Sequence, residues 1–111
     1  MANVYSRLLW RAVEGGAGTV NSPAVPPGYV WVIRDMVAAT QPGGWYLPRG
    51  FTLTDSVVFA TVWNVGNYEE LAGQALRWHG HQVLEEHDYL IWTTYDGPWS
   101  LRVSGYVLTL P

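Results

Sequence analysis

One stretch of this chain leaves little choice of local structure: Val25-Pro26-Pro27-Gly28 runs directly into Tyr29-Val30-Trp31-Val32-Ile33-Arg34-Asp35-Met36. Two prolines and a glycine make a rigid extended lead-in and a turn. The eight residues that follow are rich in β-branched and aromatic types, which favour a strand. A strand with one face in water alternates apolar and polar residues, but this run stays apolar until Arg34. The expectation is a central strand covered on both faces, with the rest of the chain laid around it.

Turn residues recur about every ten positions, the spacing of an all-β sandwich or jelly roll. Met1 to Val13 has helical spacing of Val4, Tyr5, Leu8, Leu9, Ala12 and Val13, but also reads as a first strand with Leu8 and Trp10 facing one way and Arg7, Leu9 and Arg11 the other. Gly15 to Ser22 is a loop or short strand, and Thr40-Gln41-Pro42-Gly43-Gly44 a turn. Trp45 to Gly50 reads as a short edge strand, because Pro48 cannot donate to a ladder. Phe51 to Val65 supplies one or two strands, the second an apolar run from Val57 to Trp63. Ala75 to Gly80, Tyr89 to Tyr95 and Trp99 to Leu110 complete the set, with Asp96-Gly97-Pro98 as a hairpin signal and Gly105 as a bulge or crowded point. The expected architecture is all-β, a single-domain antiparallel β-sandwich or jelly roll over residues 1–111.

A chain of 111 residues buries roughly 65% of its unfolded surface on folding, enough for a core without staples. The absence of cysteine removes thiolate catalysis, zinc fingers and disulfides together. No apolar run approaches the ~20 residues that span a bilayer, and Arg7 and Arg11 interrupt the position of a signal peptide's apolar centre. A soluble, unexported protein without membrane association is expected. A net charge of −3, with arginine the only basic residue type apart from histidine, offers phosphate backbones little attraction, so no nucleic-acid partner is expected. Seven Trp and seven Tyr against two Phe are more amphipathic rings than one small core needs. They fit either a Trp-rich core or an interface, where both types are enriched.

All three histidines fall between His79 and His87. Gly73, five residues, His79-Gly80-His81, three residues and Glu85 resembles the first metal motif of the cupin superfamily. Alternate residues of a strand share a face, so His79, His81 and Glu85 could converge on a divalent metal. The motif's closing glycine position holds Trp92, however, and no histidine outside the cluster can supply a second motif. An exposed strand followed by an acidic turn explains the same residues, and neither metal nor other cofactor is expected. Glu69-Glu70 and Glu85-Glu86 read as solvated turns rather than opposed glycosidase carboxylates, though the many rings keep a carbohydrate-binding module open. Gly-x-Ser-x-Gly and a phosphate-cradling glycine loop are both missing. Arg34-Asp35 reads as a structural charge pair. No enzymatic activity is expected.

The segment Val25 to Asp35 resembles one in small all-β virion proteins of tailed bacteriophages, especially those of actinobacterial hosts. Ser6-Arg7-Leu8-Leu9 and the ending from Gly97 to Leu110 are similar to that family as well. The resemblance implies that the first segment is a strand. It also implies a minor capsid or decoration protein that binds the outside of the head, or else a tail or head-to-tail component. By the same resemblance the protein is made in the host cytoplasm and resides in the virion, with the major capsid protein and copies of itself as partners. A homotrimer is the expected closed oligomer. Trp45, Tyr46, Arg49, Tyr68 and Trp10 are the expected contact residues.

Overall fold

The computed structural model describes residues 7–14, 17–40, 50–57, 59–65, 76–95 and 99–111. Among these, the strands are β1 (Arg7–Glu14), β2 (Gly18–Asn21), β3 (Tyr29–Thr40), β4 (Phe51–Asp55), β5 (Thr61–Val65), β6 (Leu76–Leu84), β7 (Leu90–Thr94) and β8 (Trp99–Thr109). Two four-stranded sheets form, in the orders β1-β8-β3-β6 and β2-β7-β4-β5. All pairings are antiparallel. First pairs with last, second with second-last and so on inward, so the chain is a long nested ribbon wrapped into two sheets. That is the jelly-roll form of the β-sandwich.

The Pro-Pro-Gly turn works as its residues dictate. Tyr29 N–H donates to Pro26 O at 3.3 Å and Gly28 sits at φ 85, the position where a type II turn needs a glycine after a proline. It launches β3 into the middle of the first sheet, between β8 and β6. β3 is thus central, but only one of its faces is covered by the other sheet. Ile33, Met36 and Ala38 point into the core, while Val30 and Val37 are half-buried on the outer face. The expectation of cover on both faces holds only in part: the second sheet covers the inner face, and on the outer face Val32 is buried at 3% exposure while Val30 and Val37 are half-buried.

The core lies between the sheets. Trp10, Ile33, Met36, Leu84, Trp99, Leu101 and Val103 from the first sheet meet Phe51, Leu53, Leu90 and Trp92 from the second. Phe51 is its hub, with edge-to-face contacts to Trp63 and Trp99 at 5.0 Å and to Trp92 at 6.0 Å. Such pairs each contribute about 0.5–1.5 kcal/mol beyond the area they bury. Trp10, Trp92 and Trp99 are buried, and Trp31, Trp63 and Trp78 pack against them from the margin. Among the described residues, tryptophan is therefore core material, whereas Tyr29 and Tyr95 are exposed.

One line of irregularity crosses the first sheet. The register shifts between Leu8 and Trp10 where β1 meets β8, and between Ile33 and Asp35 where β3 meets both β8 and β6. A bulge re-aims the side chains beyond it. In β1 it places Leu8 outside and Trp10 inside, correcting the expectation that they share a face. In β3 it moves the inner residues from Ile33 to Met36. Gly105 sits on this line in β8, where a Cβ would lie 1.9 Å from Val32 O. The backbones of β3 and β8 approach so closely here that only glycine fits.

Two further expectations change. The apolar run from Val57 to Trp63 is not one strand: Asp55 Oδ1 accepts from Val57 N–H at 2.8 Å, an Asx turn that ends β4. β5 begins only at Thr61. Asp96-Gly97-Pro98 connects β7 and β8, which belong to different sheets, so the two do not form a hairpin. The turn at 40–44 and the expected edge strand at 45–50 lie outside the described residues, except for Thr40 and Gly50 at their limits.

Candidate functional site

The outer face of the first sheet can be laid out in rows from its register. One row runs Arg11, Arg102, Val37, Arg77 across β1, β8, β3 and β6. The next runs Leu8, Ser104, Asp35, His79. Beyond the bulge line come Tyr106, Val32 and Val83, and then Leu108 and Val30. Arginines thus dominate one row and apolar residues the rows beyond the bulge line, while on the other side of the arginines the row Val13, Ser100 and Ala39 exposes Val13 to 64%. Leu8 and Val83 are each 43% exposed and Leu108 48%, so no described layer covers them.

The first two rows surround a shallow basin of about 560 Å³, lined by Arg7, Arg77, Arg102, Asp35, Val37 and Ser104. His79 Nδ1 lies 2.5 Å from Asp35 Oδ1. No described carboxylate is within ion-pair reach of Arg7, Arg11, Arg34, Arg77 or Arg102. Arg34 is the extra residue at the bulge and Asp35 turns to His79, so the expected Arg34-Asp35 pair is absent. A second basin, of about 480 Å³, lies near the Pro-Pro-Gly turn, where Tyr29 and Trp31 meet Pro26 and Val107.

His79 and His81 are both exposed on β6, as an alternating strand requires. The structure does not bring Glu85 to them. It lies past the end of β6, where its backbone N–H donates to Asp88 Oδ2 at 3.0 Å and shapes the turn. His79 spends its Nδ1 on Asp35, a residue outside the cupin-like spacing. Among the described residues no group of three or more His, Asp or Glu side chains is gathered as a metal would need.

Of the expected contact residues, Trp45, Tyr46, Arg49 and Tyr68 lie outside the described residues. Trp10, expected at a contact surface, is 9% exposed and its ring stands edge-on to Trp92 at 6.5 Å, inside the sandwich. The arginine row and its apolar neighbours were missed. The signal was present in β8 as Leu101-Arg102-Val103-Ser104 followed by Tyr106 and Leu108, an alternation whose outer members turn from polar to apolar midway. Its meaning appears only when β1, β3 and β6 are set beside it. No known protein family, curated protein or solved structure matches the chain.

Proposed function

We propose that this protein is a structural subunit of a tailed-bacteriophage virion, of the minor capsid or decoration kind, that binds the outside of the head and performs no reaction. One observation carries the reading: the outer face of the first sheet exposes Leu8, Val83 and Leu108 beside arginines with no described acidic partner. Exposed apolar side chains on one face with arginine and tyrosine are what protein interfaces select. Eight-stranded jelly rolls serve as capsid and lectin domains and as cupins, so the fold is compatible with the reading without choosing it. The resemblance of Val25 to Asp35 to phage virion proteins supports the capsid use among these.

Immunogold electron microscopy tests it, with antibody raised to this chain and applied to particles of the phage whose genome encodes it. Label over the head supports a decoration role. Label at the neck or tail moves the protein to the head-to-tail or tail component. Particles free of label, with the chain recovered only from the lysate supernatant, overturn the reading.

A further inference from the structure

The charge of this subunit is divided by position. All five arginines of the described residues belong to the first sheet, and Asp35 is the one described carboxylate in its outer rows. Glu85, Glu86 and Asp88 occupy the turn between β6 and β7. The turn after β4 lies at the same end of the sandwich, because Ser56 N–H donates to Tyr89 O at 3.0 Å and Ser56 Oγ accepts from Tyr89 N–H at the same distance. No arginine of the described residues sits in either turn. This end is an acidic tip.

The tip also carries an apolar anchor. Val57 is 61% and Phe59 69% exposed, among the described residues the largest exposures of big apolar side chains apart from Val13. Phe59 is moreover held at φ 56, a backbone region that bulky L residues avoid. An aromatic presented to solvent from a strained turn gains nothing for the isolated fold; strain of this kind gathers at functional sites. The opposite feature is equally unfavourable alone. Arg11 and Arg102 are direct cross-strand neighbours, and like charges so placed repel.

Each feature supplies what the other lacks. We infer that the acidic tip of one copy docks head to tail on the outer face of the first sheet of a second copy. Glu85 and Glu86 meet the Arg11, Arg102 and Arg77 row, and Phe59 meets the apolar rows around Val83 and Leu108. Such a contact is heterologous, so it closes into a ring when the rotation permits and otherwise propagates. The inference deepens the homo-oligomer part of the proposed function and rests on it.

Sedimentation velocity on the full chain tests it, with circular dichroism to verify that each variant is folded. The wild-type chain is expected to form an oligomer that weakens as salt rises, because the attraction is screened. Arg102→Glu alone, and Glu85→Arg with Glu86→Arg, each raise the apparent dissociation constant by about tenfold or more. Mixing the two variants restores association, since the reversed face of one fits the reversed tip of the other. Folded variants that keep the wild-type oligomer overturn the docking surface and leave the homo-oligomer standing. A failure of the mixture to reassociate overturns the pairing of tip with face. A wild-type chain that stays monomeric at all concentrations overturns the self-partner, while the virion reading is then decided by the gold label alone.

Discussion

Leu101 and Leu108 lie on the same strand, β8, yet Leu101 is fully buried against the second sheet and Leu108 is 48% exposed on the outer face. The two faces of the first sheet differ in the same way at Val103 and Leu8 and at Leu84 and Val83. Inside, every large side chain has neighbours, and Trp10, Trp92, Phe51 and Trp99 form a chain of edge-to-face contacts from sheet to sheet. Outside, apolar residues and arginines stand in ordered rows in which Leu8, Val83 and Leu108 are exposed and Val32, between Tyr106 and Val83, is buried. The difference separates two environments on one sheet: the inner face is closed core, and the outer face leaves Leu8, Val83 and Leu108 in water.

The largest blow to this arrangement falls on neither face but on the line that sets them. Gly105→Ala places a methyl 1.9 Å from Val32 O and 2.9 Å from Val32 C, both backbone atoms that cannot step aside without parting β3 from β8. These two strands share the longest pairing in the molecule, from Tyr29 opposite Thr109 to Thr40 opposite Trp99. The substitution is expected to cost more than about 4 kcal/mol and to leave little folded protein, which near-ultraviolet circular dichroism of the buried tryptophans reads directly. A well-folded Gly105→Ala variant would show that the bulge line does not set the two faces.

Leucine truncation compares the faces at constant chemistry. Leu101→Ala opens a cavity in a closed core and is expected to cost about 3–5 kcal/mol. Leu108→Ala removes a side chain already half in water, and its cost is expected to stay near or below about 1 kcal/mol. Urea midpoints at equal slope measure both. Equal losses would mean that the outer face is core as well.

How much of this was legible in the sequence follows the same division. Inner-face features are local: the proline-glycine turn, the centrality of β3 and the crowding at Gly105 were all readable, because chain stiffness and side-chain size act within a few residues. What failed depended on neighbours far along the chain. The apolar run of β3 predicts cover on both faces, but on its outer face Val32 is buried while Val30 and Val37 are only half-buried, and their neighbours Tyr106, Leu108, Val83 and Arg102 come from other strands. Leu8 and Trp10 were placed together because a bulge leaves no mark in a short apolar segment. Asp96-Gly97-Pro98 was read as a hairpin because turn chemistry cannot tell a strand's partner from a strand that merely follows it. The candidate site suffered most, since Arg11, Arg102 and Arg77 are distant in sequence and become one row only through the register.

The His79 and Asp35 pair, on the outer face, is expected to matter little to stability. Its side chains are 69% and 39% exposed, and ion pairs in such positions contribute about 0–1 kcal/mol once solvent screening is counted. His79→Ala should therefore shift the urea midpoint by less than Leu101→Ala does, and a loss as large would make the pair a keystone of the sheet.

The smallest effect is the most informative because its sign is reversed. Arg102 stands opposite Arg11, with Arg77 one strand further along the row, and no described carboxylate reaches any of the three. Like charges directly opposite on a sheet destabilise it by about 0.2–1 kcal/mol. Arg102→Gln keeps the aliphatic stem and a polar end while removing one charge of the row. The isolated subunit should thus gain a few tenths of a kcal/mol at low salt, and the gain should fade as salt screens the repulsion. Denaturation measured at low protein concentration, below any self-association, isolates that term. A residue whose removal stabilises the subunit while weakening its association belongs to the surface's purpose and not to the fold. If Arg102→Gln instead lowers stability at every salt concentration, the arginine row supports the sheet, and the contrast between the two faces narrows to their apolar residues.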